Sequence, residues 1–191
     1  MNLTLDEAID NLFAMHQELT KNGNVKPEEW KRLESQYNNL LNRNPDNPRI
    51  LFQLGTYHMQ TGNAGLAIPL IERAITFGAS GGGPYLNIAA AYKIEHKDER
   101  ALEYYKKALE QSDAHGVVDE RGINQDKVFA LHGIGSLYVN AGEPATCVHW
   151  CNKALAVDPD DRHAMWNKGL ALLEQGQFAE GFRIYDEAGF K

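Results

Sequence analysis

Residues 128–159, VFALHGIGSLYVNAGEPATCVHWCNKALAVDP, decide how the whole chain is read. Leu131, Ile134, Gly135 and Tyr138 recur at i, i+3, i+4 and i+7, so they share one face of a helix. Gly142 ends that helix, and Pro144 suits the first turn of a second one, where its missing N–H would lack an intrahelical partner anyway. Cys147, Cys151 and Ala154 mark the apolar face of the second helix, and Asp158-Pro159 stops it. A lone helical hairpin cannot bury both stripes. It must stack on copies of itself or dock on another element.

Copies are present. Gly55, Ala89, Gly135 and Gly169 are separated by 34, 46 and 34 residues. The same three intervals separate Ala67, Ala101, Cys147 and Gly181, and again Ala74, Ala108, Ala154 and Ala188. A bulkier row, Ile71, Tyr105, Cys151 and Tyr185, keeps the register too. Small residues where two helices cross permit close approach, and a larger side chain there would overpack the crossing by roughly 1–3 kcal/mol.

This pattern resembles the tetratricopeptide repeat (TPR) family, whose signature is a bulky residue, Leu-Gly, Tyr, Ala, an aromatic, Ala and Pro. Tyr85, Ile88-Ala89, Tyr92, Ala101, Tyr105 and Ala108 carry it in one repeat. Leu131, Ile134-Gly135, Tyr138, Ala154 and Pro159 carry it in the next, with cysteines in the Ala and aromatic places. Leu51, Leu54-Gly55, Ala67, Ile71 and Ala74 form an earlier repeat in which His58 replaces the usual Tyr. Met165, Gly169, Leu172, Phe178, Tyr185 and Ala188 form the last one, with Lys168 and Gly181 as departures. Leu33, Tyr37, Leu40 and Pro45 keep the phase for one degenerate unit more, so the resemblance covers about residues 14 to 189. It implies an all-α, right-handed solenoid. The expected organisation is an N-terminal helical pair over 1–46 serving as degenerate repeat and cap, then four repeats over 47–80, 81–113, 127–160 and 161–189. An inserted loop at 114–126 accounts for the long interval.

The first helix carries a capping box at Thr4-Leu5-Asp6-Glu7 and an apolar stripe of Leu5, Ala8, Ile9, Leu12 and Phe13. A turn is expected at Asn22-Gly23-Asn24 and a second helix from Pro27, bearing Trp30, Leu33, Tyr37, Leu40 and Leu41. Asn44-Pro45-Asp46-Asn47-Pro48 breaks the chain. Pro69, inside the helix expected over 64–77, predicts a kink or a late helix start.

Of the 191 residues, 43% are hydrophobic and 24% charged, a packed rather than disordered composition. A formal charge of −7 speaks against a nucleic-acid surface, and no stretch approaches the ~20 apolar residues that insert in a membrane. The N-terminus lacks the basic start and apolar core of a secretory signal, and two cysteines four apart form no disulfide framework, so a cytoplasmic setting is expected.

No catalytic, cofactor-binding or metal-binding residues are expected. His149 points away from Cys147 and Cys151, whose places the repeat pattern buries. Gly78-Ala79-Ser80-Gly81-Gly82-Gly83-Pro84 lacks the Gly-Lys-Ser/Thr ending of a phosphate loop and reads as a turn. The seven histidines show no metal-ligand spacing. What remains is the concave face, which in the resembled family holds segments of partner proteins. The repeat register assigns to it Arg49, Phe52, Gln53, Thr56, Leu86, Asn87, Ala90, Lys93, His132, Ser136, His163, Trp166, Asn167 and Leu170. The carboxylate clamp of chaperone-binding members is not expected, because only Asn87 fits among the matching places Phe52, Thr56, Asn87, Phe129 and Gly133. Asn87 and Asn167, with the amide Gln53, resemble the asparagine ladder of O-linked N-acetylglucosamine transferase arrays, interrupted here by Gly133. An amide both donates and accepts, which suits a peptide backbone.

The expected function is therefore non-enzymatic: an adaptor or scaffold binding a protein or peptide partner in its groove. One alternative is an accessory array working with a glycosyltransferase, from the likeness of LLEQGQFAEGFRIYDEAGF to the closing repeat of bacterial arrays that precede such a domain. Another is a structural subunit of a larger assembly. Phe178, Phe182, Ile184 and Tyr185 cover more than one face of the final helix, so self-association or docking through the C-terminal repeat is also expected.

Overall fold

A computed structural model describes residues 4–21 and 26–189, and the turn expected at Asn22-Gly23-Asn24 lies outside the described residues. The described residues form ten helices and no strand: α1 (Leu5–Lys21), α2 (Pro27–Arg43), α3 (Pro48–Gln60), α4 (Ala64–Thr76), α5 (Gly83–Ile94), α6 (Asp98–His115), α7 (Gln125–Asn140), α8 (Pro144–Val157), α9 (Arg162–Glu174) and α10 (Phe178–Ala188). They divide between Ala79 and Ser80 into two compact units.

In the first unit each helix packs on the next, and α3 also touches α1, so the N-terminal pair lies against the following repeat. The capping box forms: Thr4 N–H donates to Glu7 Oε2 at 2.8 Å and Glu7 N–H to Thr4 Oγ1 at 3.3 Å. Leu12, Leu33, Tyr37, Leu54 and Tyr57 make the core, with Trp30, Leu40, Leu41 and Leu70 packed against it. Helix α4 starts at Ala64 with Pro69 inside it, so the late start does not occur. The ring sits one turn beyond the helix start, where a missing N–H leaves one carbonyl without its ladder partner while the flanking turns continue.

In the second unit the helices again pack in sequence, and α7 additionally lies against α5 and α9. Cys147, Cys151 and Ala154 of α8 are completely buried beside Leu131, Ala164 and Ala171. The small and bulky rows meet within repeats. A Cβ on Gly55 would lie 2.5 Å from Ile71 Cγ1, one on Gly135 2.8 Å from Cys151 Sγ, and one on Gly169 3.1 Å from Tyr185 Cβ. The bulky row fills the space that the small row leaves.

A further row appears in the turns. Gly62, Gly142 and Gly176 take φ of +81°, +71° and +77°, and His96 stands in the same register with φ +56°. An L-residue there carries the cost that glycine avoids.

The segment expected as a loop over 114–126 is shared with its flanking helices, because α6 runs to His115 and α7 begins at Gln125. Between them Asp119 Oδ1 accepts from the N–H groups of Arg121 and Ile123 at 2.9 and 3.0 Å. Asn124 caps α7 through Lys127 N–H and donates Nδ2 to Ser112 O at 2.8 Å. Arg121 reaches the buried Asp158 carboxylate at 3.0 Å, tying the loop to the end of α8. Residues 116–124 lie outside any helix, and Asn124 gives the exposed backbone groups of both flanking helix ends a partner.

Candidate functional site

In the first unit, the residues that the register assigns to the groove lie on α3. Gln53 and Thr56 line a cavity of about 290 Å³ with Phe13, His16, Gln17, Thr20 and Gln60. The lining is rich in amides and hydroxyls, groups able to satisfy a polar main chain. Phe52 is half-buried. Arg49, by contrast, is held by Asp6 and Asp10 of α1, which compensate its charge and fasten α1 to α3.

His16 sits behind this cavity. Gln60 Oε1 accepts from its Nε2 at 2.7 Å, which leaves Nδ1 to accept from the Tyr37 hydroxyl at 3.1 Å. Trp30 and Tyr57 meet the imidazole edge-on. Burial holds the His16 pKa below the ordinary histidine value, against the opposing pull of the Gln60 hydrogen bond. His58, the departure from the family's Tyr, is buried with its Nδ1 unpartnered among the described residues. Burial lowers its pKa as well, against the nearby Glu34 carboxylate.

In the second unit, α5, α7 and α9 supply the remaining residues. Leu86, Asn87, Ala90 and Lys93 of α5 are half-buried, as are His132 and Ser136 of α7 and Trp166, Asn167 and Leu170 of α9. Three contacts stitch these helices together. Lys93 Nζ donates to Ser136 Oγ at 2.6 Å, and burial lowers the Lys93 pKa, with Asp98 opposing. Asn167 Nδ2 donates to His132 O at 3.4 Å. His132 Nδ1 donates to Asp161 Oδ2 at 2.8 Å while its ring stacks on that of His163, centroids 5.1 Å apart. Trp166 stacks on Tyr185 of α10 at 4.1 Å between centroids, so it also fastens the last helix pair.

The gap in the amide row has a steric cause. A Cβ on Gly133 would lie 2.5 Å from Tyr105 Cε1, so the ring of α6 occupies the space an asparagine would need. Asp161 is the residue that sequence reasoning passed over. Its side chain caps α9 by accepting from His163 N–H at 3.1 Å and also meets His132. The Asp-x-His at a helix start was visible; its neighbour on α7 was not, because 29 residues separate them.

No curated protein sequence matches the chain. Among solved structures, PilF of Pseudomonas aeruginosa superposes with a TM-score of 0.76 at 13% identity, covering 96% of this chain and 76% of that one. MamA gives a TM-score of 0.69 at 18% identity over 84% of this chain and 87% of that one. YrrB, described as a TPR protein with an unusual peptide-binding site, gives 0.66 at 14% identity over 97% and 84%. At these identities the likeness shows the fold, an all-α repeat solenoid. One tetratricopeptide repeat family model matches residues 34–84 and 133–189, and a second matches 83–115. Those matches run from within α2 to α10, with residues 116–132, the α6–α7 loop and the first half of α7, left out, and this protein belongs to the tetratricopeptide repeat family.

Proposed function

We propose that this protein is a non-enzymatic adaptor that holds an extended segment of a partner protein against the first helices of its repeats. The family assignment supports a protein-interaction scaffold in general. For the finer reading, the observation that carries most weight is the set of half-buried amide, aromatic and cationic side chains on α5, α7 and α9: Asn87, Lys93, His132, Trp166 and Asn167. Such groups combine backbone-directed hydrogen bonding with the contact area typical of binding hot spots. YrrB, similar in fold, is described as having a peptide-binding site, which favours the same use here. Within the first unit, Phe52, Gln53 and Thr56 of α3 are a candidate contact of their own.

The test is crosslinking of the full chain to its captured partner, followed by alanine substitution. Asn87→Ala or Phe52→Ala should weaken binding by roughly 1–3 kcal/mol, the scale of a hot spot. Unchanged affinity with crosslinks confined to α10 would replace this reading by the structural-subunit one. That second reading has its own support, because Phe178 and Phe182 of α10 remain 61% and 57% exposed. The glycosyltransferase-linked alternative rests on the short C-terminal likeness and gains no support from the matches above.

A further inference from the structure

His132, Asp161 and His163 converge although neither their spacing nor the repeat register marks them as a set. Their donor atoms all lie within 4.8 Å of one another. Asp161 Oδ2 is 2.8 Å from His132 Nδ1, and Asp161 Oδ1 is 3.8 Å from His163 Nδ1. The stacked rings, inclined at 28°, thus straddle a single carboxylate. Asp161 is only 8% exposed, and among the described residues it pairs with no lysine or arginine, although every other carboxylate in the α8–α9 turn lies near Arg121. A buried carboxylate without a fixed cation is costly to keep charged, and a metal ion would supply the missing charge.

From this geometry we propose that His132, Asp161 and His163 form a binding site for one divalent transition-metal ion of the zinc, cobalt or nickel type. Two imidazoles and one carboxylate are the donor set that suits such ions, whereas calcium and magnesium prefer all-oxygen shells. Tetrahedral coordination at 2.0–2.1 Å places donors about 3.4 Å apart, so His132 and Asp161, now 2.8 Å apart, must part slightly while His163, at 3.8 Å from the carboxylate, moves in. His163 can make that movement: its side chain is 64% exposed at the start of α9, while His132 and Asp161 are already in contact. On binding, His132 Nδ1 gives up its proton and Nε2 takes one from solvent, so the ring stays neutral in its other tautomer and the Nδ1 lone pair goes to the metal. Three protein ligands leave at least one position for water or a donor from a partner. The site adds to the peptide-binding reading and does not depend on it.

The test is calorimetric titration of the tag-free full chain with Zn²⁺, and with Co²⁺ to read the coordination from its visible absorption. We expect one equivalent bound, a rise in melting temperature on adding Zn²⁺, and a Co²⁺ spectrum of low coordination number. His163→Ala changes an exposed side chain, so it should fold normally while weakening uptake at least tenfold and abolishing the thermal shift. Asp161→Asn keeps a good helix cap and should also weaken uptake. Absence of saturable uptake by the wild type, or equal affinity in His163→Ala, overturns the proposal. Peptide binding measured with the metal chelated reports on the adaptor reading separately.

Discussion

Gly133 of α7 and Tyr105 of α6 are fitted so closely that a single added methyl group would press into the ring, with a Cβ 2.5 Å from Cε1 and 2.7 Å from Cζ. Tyr105 is buried, and burial raises its pKa to about 12. Close packing around the buried ring leaves it little room to yield. Gly133→Ala should destabilise the second unit by about 1–2 kcal/mol, overpacking outweighing the gain of up to about 1 kcal/mol in helix propensity. Chemical denaturation checks this. Combining the change with Tyr105→Leu should recover part of the loss, because the two residues are coupled through one contact.

His96 offers the opposite sign. It holds φ +56° where the other three repeats have glycine. His96→Gly should stabilise the α5–α6 hairpin by about 0.5–1 kcal/mol, the relief of left-handed strain exceeding the extra unfolded-state entropy. A lower midpoint in a urea melt would show that His96 makes a compensating contact.

Acid should loosen the first unit before the second. Burial lowers the pKa values of His16 and His58 below the unfolded value of about 6.5. The unfolded chain therefore binds more protons than the folded one once pH falls under that value. Stability contributed by the two neutral imidazoles is complete above about pH 6.5 and declines as pH drops from there through their folded values. Hydrogen exchange in α1–α3 at pH 7.5 and 5.0 reads the change. His16→Gln should flatten the profile.

Arg121→Ala tests the inserted loop. The guanidinium meets Asp158, whose side chain is 7% exposed, while the arginine itself is about half exposed. Removing it leaves the buried carboxylate with the Asp160 N–H alone, so stability should fall, with solvent around the arginine softening the loss. Faster exchange confined to residues 116–124 with α7 and α8 unchanged would show that the pair holds only the loop.

Trp166 separates binding from stability. Its ring lies 4.1 Å from that of Tyr185, so Trp166→Ala should lower stability by about 1–3 kcal/mol as well as weaken a partner. Asn87→Ala should affect binding with less effect on the melt. Parallel melts and binding curves of the two variants make the comparison.

Much of this was written in the chain. Four rows keeping intervals of 34, 46 and 34 residues give the repeats, and the turn glycines and prolines give the helix ends. Cys147 and Cys151 could be placed in the core because their register positions admit only buried residues, and both are fully buried. Local periodicity fixes which face of a helix is apolar, and the repeat fixes what that face meets.

Contacts between side chains of different helices were not legible. The register placed Arg49 and Trp166 in the groove, but only the packing reveals Asp6 and Asp10 around the first and Tyr185 against the second. The same holds for Gly133, where the ring of Tyr105 removes the room for an amide, and for Asp161, which meets His132 across 29 residues of chain. Sequence determined the repeat, the helices and their buried faces, because these follow from spacings within a few turns. Tertiary structure alone decided which polar groups pair across helices, since that depends on distances that no local period encodes.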